Sequence, residues 1–591
     1  MAHGEESGHG RDWFAVLPDC DAAWAAIASV APRQVVSASH ASGRPWLVEP
    51  GGAGGRGSRR RGVVAEAGPV RLAVWGDCPP SQGRLAELAG RVRCLEDLDR
   101  LPGAIPGSVH LLASVDGRVR AQGTASGLRR IFHARVGGVT LACDRSDVLA
   151  TAMGAGLDEE ALALRLLEPA VPHPLEERSV WRGVHAVGDG WWLRLDQDGS
   201  ARCRQWWTTP EPELPLARGA HSVRAALGAA VAARTAGGGT ISADLSGGMD
   251  STSLCFLAAG GHARLLTCTR TGGDSSHGDA AWARQVPAHL PRAEHLLMDC
   301  ADLPPFFAGM LAFGHDADEP VRGARAAVYA TDLARRMAAA GSRLHLCGEA
   351  ADQVVQGFPS YLHTAVRTAP TVAMRHLRAL AAHRRWQVVP MVRALADSRT
   401  YPRWLAATAG DLPPLWQHSG RPAMGWQLRP GMPPWASDQA VATVRGLIRD
   451  AAPDARPLAG SRGQHTVLMV IRSAARIARH LAGITADAGT PTHFPYLDDQ
   501  VIDACLAVRL HERTSPFVYK PLLAAAMRTI VPDVFLGRRT KGEFTLDVHT
   551  GLRQRRASSS RSRRRVRQML LFTVPTLMFS VSAISGSVRP S

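Results

Sequence analysis

Two serines, two glycines and an aspartate stand within six residues at Ser246-Gly247-Gly248-Met249-Asp250-Ser251. Hydroxyls, a carboxylate and unencumbered backbone amides at that spacing can hold a polyanion together with its cation. A β-prone run, 240–245, leads into them, and an apolar helical run, Leu254-Cys255-Phe256-Leu257-Ala258-Ala259, follows. A strand, a glycine turn and a helix N-terminus gather unpaired N–H groups that attract an anion. The glycines let the backbone come close, and Ser246 and Ser251 add donors. Asp250 sets a carboxylate beside the expected phosphates, where Mg²⁺ belongs. No G-x-x-x-x-G-K-[ST] lysine is present to hold a γ-phosphate, which excludes a kinase-type P-loop.

A second junction has a similar build: Leu344-His345-Leu346-Cys347-Gly348-Glu349-Ala350-Ala351-Asp352. In a parallel sheet it can lie beside the first. Asp250 and Asp352 are then placed to hold Mg²⁺ together, with Glu349 facing the reacting carbon. Acids just after a strand also serve as helix caps and first-turn carboxylates, which is the plainer alternative.

The cations carry a further signal. Of 69 Lys and Arg residues only Lys520 and Lys541 are lysines. These positions are expected to need a compact ammonium with a tunable pKa, which arginine cannot offer. Lys520 has two readings, a phosphate or carboxylate partner and a surface ion pair.

The elements that must position these groups alternate. From about 216 the pattern runs helix (223–235), motif strand, helix (251–259), strand (264–269), helix (278–286), short strand (294–298), helix (321–340) and strand (343–347). That alternation predicts a parallel sheet with helices on both faces and ligands at the carboxyl ends of the strands. Beyond 360 the chain is mostly helical and tryptophan-rich. Before about 207, short β-like runs at 70–75, 109–114, 138–143 and 190–195 are separated by turns such as Asp116-Gly117 and Asp198-Gly199, with one helix at 158–167. This half is expected to be an α/β sandwich. Prolines 210, 212 and 215 mark the linker, giving domains at 1–209 and 210–556 and a tail at 557–591.

The chain has 591 residues, which favours two large domains. Its ten cysteines show no C-x-x-C pair or Cys/His cluster in sequence, so neither a zinc motif nor a disulfide framework is indicated. The N-terminus is polar and lacks a signal peptide, which predicts a cytoplasmic protein. About half of the +17 charge comes from the end of the chain, where Arg553 to Arg589 include nine arginines and no acid follows Asp547. A basic tail can touch RNA or anionic lipid, or be a solvated end; no specific nucleic acid is expected. The apolar run 569–584 contains Pro575 and is marginal as a membrane span.

The S-G-G-x-D-S string resembles the pyrophosphate loop of ATP pyrophosphatases, which cleave ATP between the α and β phosphates. Together with Cys347–Asp352, Phe494-Pro495-Tyr496-Leu497-Asp498 and Lys541-Gly542-Glu543-Phe544, it resembles the class B asparagine synthetase family over roughly 70–556. Pro-Tyr-Leu-Asp is similar to that family's Pro-Phe-Leu-Asp, and Cys347-Gly348-Glu349 to its ATP-contacting Ser-Gly-Glu. Val180-Trp181 and Val187-Gly188-Asp189-Gly190 look like the end of its glutaminase domain. The resemblance implies a degenerate Ntn-type glutaminase-like sandwich followed by an ATP-pyrophosphatase domain. It implies ATP contacts at Leu245, Ser246, Gly247, Gly248, Asp250, Ser251 and Gly348, Mg²⁺ on Asp250 and Asp352, and catalytic roles for Glu349 and Lys541.

Glutamine-hydrolysing members use a cysteine directly after the initiating methionine, with its own α-amine as base. Here Met1-Ala2-His3 opens the chain and the first cysteine is Cys20, so loss of glutaminase activity is expected. That loss is shared by β-lactam synthetases and lasso-peptide macrolactam synthetases. The strings Trp13-Phe14-Ala15-Val16-Leu17-Pro18-Asp19, Asp318-Glu319-Pro320, Ser515-Pro516-Phe517-Val518-Tyr519-Lys520 and Arg539-Thr540-Lys541 are most similar to the lasso group. One departure is Ala350-Ala351 between the acids, where that group more often has glycines.

The implied reaction adenylates an Asp or Glu side chain of a precursor peptide, and the peptide's N-terminal amine then closes an isopeptide ring. Implied partners are the precursor peptide, a leader peptidase and a leader-recognition protein. In this reading Lys541 neutralises charge on the phosphate, and Glu349 orients or deprotonates the amine. Tyr329 and His315 both stay open as its partner. The alternatives are an asparagine synthetase or other ammonia- or amine-dependent ligase, an RNA-modifying ATP pyrophosphatase, and a non-catalytic protein.

Overall fold

The structure, a computed structural model, describes residues 12–28, 34–50, 62–271, 278–310, 318–413, 422–538 and 545–558. Lys541, His315, the loop 51–61 and the tail from 559 onward lie outside the described residues. The chain forms two compact units: Met1–Asp158, Ser179–Thr208 and Asp316–Glu319 in the first, and Glu159–Arg178, Thr209–His315 and Pro320–Ser591 in the second.

In the first unit the described strands are β1 (Ala15–Val16), β2 (Gln34–Ser39), β3 (Pro45–Pro50), β4 (Gly62–Ala67), β5 (Val70–Gly76), β6 (Val109–Val115), β7 (Arg118–Gln122), β8 (Phe132–Val136), β9 (Val139–Cys143), β10 (His185–Ala186), β11 (Trp191–Leu195) and β12 (Ala201–Gln205). They build two antiparallel sheets of order β10-β8-β9-β1-β3-β2 and β12-β11-β7-β6-β5-β4. The period of two along each strand sorts its side chains between two cores. Phe14, Val16, Ala73, Leu112, Ala121 and Leu193 turn inward and fill the space between the sheets. Leu72, Val74, Leu111 and Ala113 face outward under the helix Gln82–Ala89. Ala15, Leu17, Phe132 and Ala134 face the helices Asp21–Ala28 and Ser146–Met153. The layers are helix, sheet, sheet, helix, the order expected of an Ntn-type sandwich.

The second unit carries β13 (Thr240–Asp244), β14 (Arg264–Thr271), β15 (Glu294–Asp299), β16 (Ser342–Leu346) and β17 (Thr492–His493). All pair in parallel in the order β15-β14-β13-β16-β17. From β13 the chain builds outward to β15, then returns to the other side of β13 with β16. The strand order therefore reverses between β13 and β16, and the crevice beyond their carboxyl ends is the place where such a sheet binds ligands.

Segment 159–178 falls with the second unit because its apolar residues do. Leu164, Leu167 and Val171 pack with Tyr401, Trp404, Leu405 and Ile448, and Glu168 exchanges backbone bonds of 3.0 and 2.8 Å with Gly431. The helix expected over 158–167 is Glu159–Leu164. It tightens to i→i−3 bonds at Leu166 and Leu167 ahead of Pro169, whose ring disfavours helix at the residue before it. Asp318, by contrast, belongs to the first unit, where its carboxylate accepts from Ser146 N and Oγ at 3.2 Å each.

Candidate active site

Leu245 extends β13 by one bond, donating to Cys268 O at 2.7 Å. The chain then turns at Gly247, whose φ of +71° suits glycine. Gly248 caps the helix Met249–Ala259 in an extended conformation. Within the turn Ser246 N donates to Ser251 Oγ at 3.1 Å, the two serine hydroxyls lie 3.0 Å apart, and Gly248 N meets Ser246 Oγ at 3.3 Å. The first helical turn, Asp250-Ser251-Thr252-Ser253, is buried although polar, an arrangement that persists only where partners satisfy it.

The second junction follows β16. Gly348 is packed so closely that a Cβ there would stand 3.3 Å from Ser251 N and 3.4 Å from Asp250 Cβ. The two loops are thus in direct contact. Glu349 is exposed beyond them. Ala350 adopts the left-handed region at φ +70° while buried, and caps the short helix Ala351–Val355 that carries Asp352 in its first turn.

One lysine joins the two acids. Lys520 Nζ contacts Asp250 Oδ2 and lies 2.6 Å from Asp352 Oδ1. Its side chain is fully buried and its backbone is left-handed, φ +46°. Burial opposes its charge, but Asp250 and Asp352 outweigh burial and hold the ammonium well above the ordinary lysine range. Lys520 is therefore no surface ion pair: it is buried between two carboxylates of the chain itself.

Two carboxylates against one ammonium leave a net negative charge and only hard oxygen donors for an incoming ion. That donor set fits Mg²⁺, which binds through one or two carboxylates plus substrate phosphates.

Three supporting contacts come from distant segments. Tyr496, in the Pro-Tyr-Leu-Asp string, donates its hydroxyl to Asp250 O at 3.1 Å. Asp498 of the same string receives a bidentate pair from the buried Arg234, at 2.7 and 2.8 Å. Arg538 donates to Gly247 O at 2.6 Å, its guanidinium 5.6 Å from the centre of the Trp282 ring. Arg538 brings a cation to the glycine turn, and the sequence, with arginines throughout, did not single it out.

Arg325 is close enough to Glu349 to feel its charge: burial and Arg322 push the guanidinium pKa down, and Glu349 and Glu168 oppose them. Tyr329 packs with Leu266, Cys268 and Met298. Arg270 sits 5.2 Å from its ring centre, and burial with the nearby Asp244 and Cys268 raises its phenol well above the usual range. Tyr329 thus sits among Asp244, Arg270 and the thiols Cys268 and Cys347.

In unit 1, Cys20 donates its amide to Pro18 O at 2.9 Å and packs beside the outer core. No helix among the described residues is long and apolar enough to cross a membrane.

The sequence model of the family described as asparagine synthase matches residues 222–576, which span the site. None of the curated proteins matches the chain. Among solved structures, the glutamine phosphoribosylpyrophosphate amidotransferase from B. subtilis complexed with ADP and GMP is 10% identical, with 57% of this chain and 81% of that one covered and a TM-score of 0.23. A structure described as the allosteric regulatory enzyme of purine biosynthesis is 11% identical, with coverage of 50% and 76% and a TM-score of 0.20. Likenesses that faint bear on neither fold nor function.

Proposed function

We propose, from the premise that this chain belongs to the asparagine synthase family and is an ATP-dependent amide ligase, that it closes a macrolactam ring in a ribosomally made peptide of the lasso type. The observation that carries the adenylation half is the Lys520 bridge between Asp250 and Asp352 at the switch point of the parallel sheet. It fixes two carboxylates beside an anion-binding turn.

The peptide's side-chain carboxylate attacks the α-phosphorus of ATP, forming an acyl-adenylate and releasing pyrophosphate. The amides of Ser246, Gly247 and Gly248 and the hydroxyls of Ser246 and Ser251 hold the departing pyrophosphate, with Leu245 and Gly348 lining the nucleotide site. Asp250 and Asp352 hold Mg²⁺, which when bound supplies charge neutralisation to the phosphates. The N-terminal amine of the same peptide then attacks the acyl carbon and expels AMP. That amine must be neutral, and the exposed Glu349 accepts its proton. Lys541 serves the developing phosphate charge, and Arg538 adds a second cation at the turn. AMP formation, an acid-bearing peptide substrate and upstream leader removal all belong to this proposal.

A peptide amine is favoured over ammonia by the strings Trp13–Asp19, Asp318–Pro320 and Ser515–Lys520, which resemble the lasso group. The complete layering of the first unit favours a second reading, an asparagine synthetase-like ligase that takes ammonia or another amine. Both are tested with full-length protein, Mg²⁺-ATP and a leader-free peptide encoded beside the gene. Loss of one water from the peptide with one AMP, abolished by Asp250→Ala, supports ring closure. Asparagine formed from aspartate and ammonia, with the peptide unchanged, overturns it in favour of the second reading.

A further inference from the structure

The end of β13 also holds a cluster that the ligase chemistry leaves unused. Asp244 closes β13, Cys268 stands beside it on β14 and His345 on β16. His345 Nε2 is 3.1 Å from Asp244 Oδ1, and Cys268 Sγ is 3.8 Å from the same oxygen. The ligand atoms of the three residues lie within 4.8 Å of one another. A tetrahedral zinc centre with bonds of 2.0–2.3 Å has ligand–ligand edges of roughly 3.3–3.8 Å. The three side chains are therefore already close to the face of such a tetrahedron.

The surroundings suit a ligand set. His345 Nδ1 lies 2.9 Å from Ser242 Oγ, which has Leu344 O as an acceptor at 3.4 Å. In the metal-free site Nε2–H donates to Asp244 Oδ1; the tautomer with its proton on Nδ1, donated to Ser242 Oγ, would free the Nε2 lone pair for an ion, as in a metal-binding imidazole. His345 and Cys268 are each 3% exposed, while the Asp244 side chain is 35% exposed. The cluster is thus closed on two sides and open on one. The Cys347 thiol bonds the same carboxylate.

Among the described residues a second cluster, His173, Glu176 and Glu177, already contains a cation: Arg472 lies 3.4 and 3.3 Å from the two glutamates.

We propose that Asp244, Cys268 and His345 form a binding site for a soft divalent cation of the Zn²⁺ class. It is separate from the hard-oxygen pair Asp250 and Asp352 and lies one residue before Leu245. A nitrogen, a thiolate and a carboxylate select Zn²⁺ over Mg²⁺. Binding deprotonates the Cys268 thiol, whose proton leaves to solvent. Occupancy ties β13, β14 and β16 together at the base of the pyrophosphate turn. The site does not depend on the proposed ring closure, and its test needs neither ATP nor peptide.

The test titrates Co²⁺ into chelator-treated full-length protein. One equivalent should bind with a thiolate-to-cobalt charge-transfer band and the strong visible bands of a four-coordinate ion. Cys268→Ser should abolish the charge-transfer band, Ser242→Ala should weaken binding about tenfold, and the exposed Cys203→Ser should leave both unchanged. Circular dichroism establishes that each variant is folded. Should Cys268→Ser fail to fold, Asp244→Asn, which keeps the side-chain volume, must weaken Co²⁺ binding instead. A wild-type protein with no charge-transfer band, or a folded Cys268→Ser protein that keeps it, overturns the proposal.

Discussion

Lys520 Nζ lies 2.6 Å from Asp352 Oδ1 and also contacts Asp250, so one buried ammonium locks the first turns of two helices that follow neighbouring strands. Lys520→Met keeps the length of the side chain but leaves the carboxylates facing each other without a cation. Breaking a buried pair in this way costs about 3–5 kcal/mol. Urea unfolding should show a loss of that order, and ATP-dependent AMP release should fall with it. The double variant Lys520→Met, Asp250→Asn should recover part of the stability and none of the activity. Unchanged stability in Lys520→Met would mean that the bridge does not form.

Ala350 offers a test of the second loop. It is held at φ +70°, where an L-residue carries about 1–2 kcal/mol of strain. Ala350→Gly removes that strain and loses part of the gain to the greater freedom of the unfolded chain. A net stabilisation of up to about 1 kcal/mol is expected in denaturant unfolding. A clear destabilisation would show that the backbone there is not left-handed.

His465 gives the second unit a pH dependence of defined sign. It is fully buried, its Nδ1 accepts from Leu458 N at 3.0 Å, and the Tyr401 ring lies 4.5 Å away, centre to centre. Burial, with His173 next, lowers its pKa to about 3. The unfolded chain takes up a proton near pH 6.5 and the folded chain does not, so stability falls as pH drops below 6.5. Between pH 6.5 and 5 this one residue should remove about 1.6 kcal/mol. His465→Gln should unfold with a pH slope shallower by one proton over that window, and an identical slope would contradict the assignment.

The chemistry was legible where it is local. Ser246–Ser251 and Cys347–Asp352 each pack a strand end, a turn and a first-turn acid into a few residues, and their sequence pattern alone predicts where they lie in the sheet. Lys520 stood out because an ammonium among 69 Lys and Arg residues is rare. Arg538 and Arg325 did not, because one arginine among 67 (69 less two lysines) carries no signal, and Arg538 meets Gly247 across 291 residues of chain. The contact of Tyr496 with Asp250 spans 246 residues. The strand β17 escaped notice because Thr492–His493 is two residues long and not apolar. The exchange of segment 159–178 between units depends on partners more than two hundred residues away, such as Tyr401 and Trp404. The cluster of Asp244, Cys268 and His345 has no sequence spacing of its own, because three separate strands supply it.

Oxygen transfer tests the central claim most directly. The acceptor Asp or Glu side chain of the leader-free peptide is labelled with ¹⁸O in both carboxylate oxygens, and the products of one turnover with Mg²⁺-ATP are weighed by mass spectrometry. If the carboxylate attacks the α-phosphorus and the amine then expels AMP, one ¹⁸O must leave with AMP and one must stay in the cyclised peptide. Label in inorganic phosphate with ADP as the product, or AMP without label, would contradict adenylation at this site.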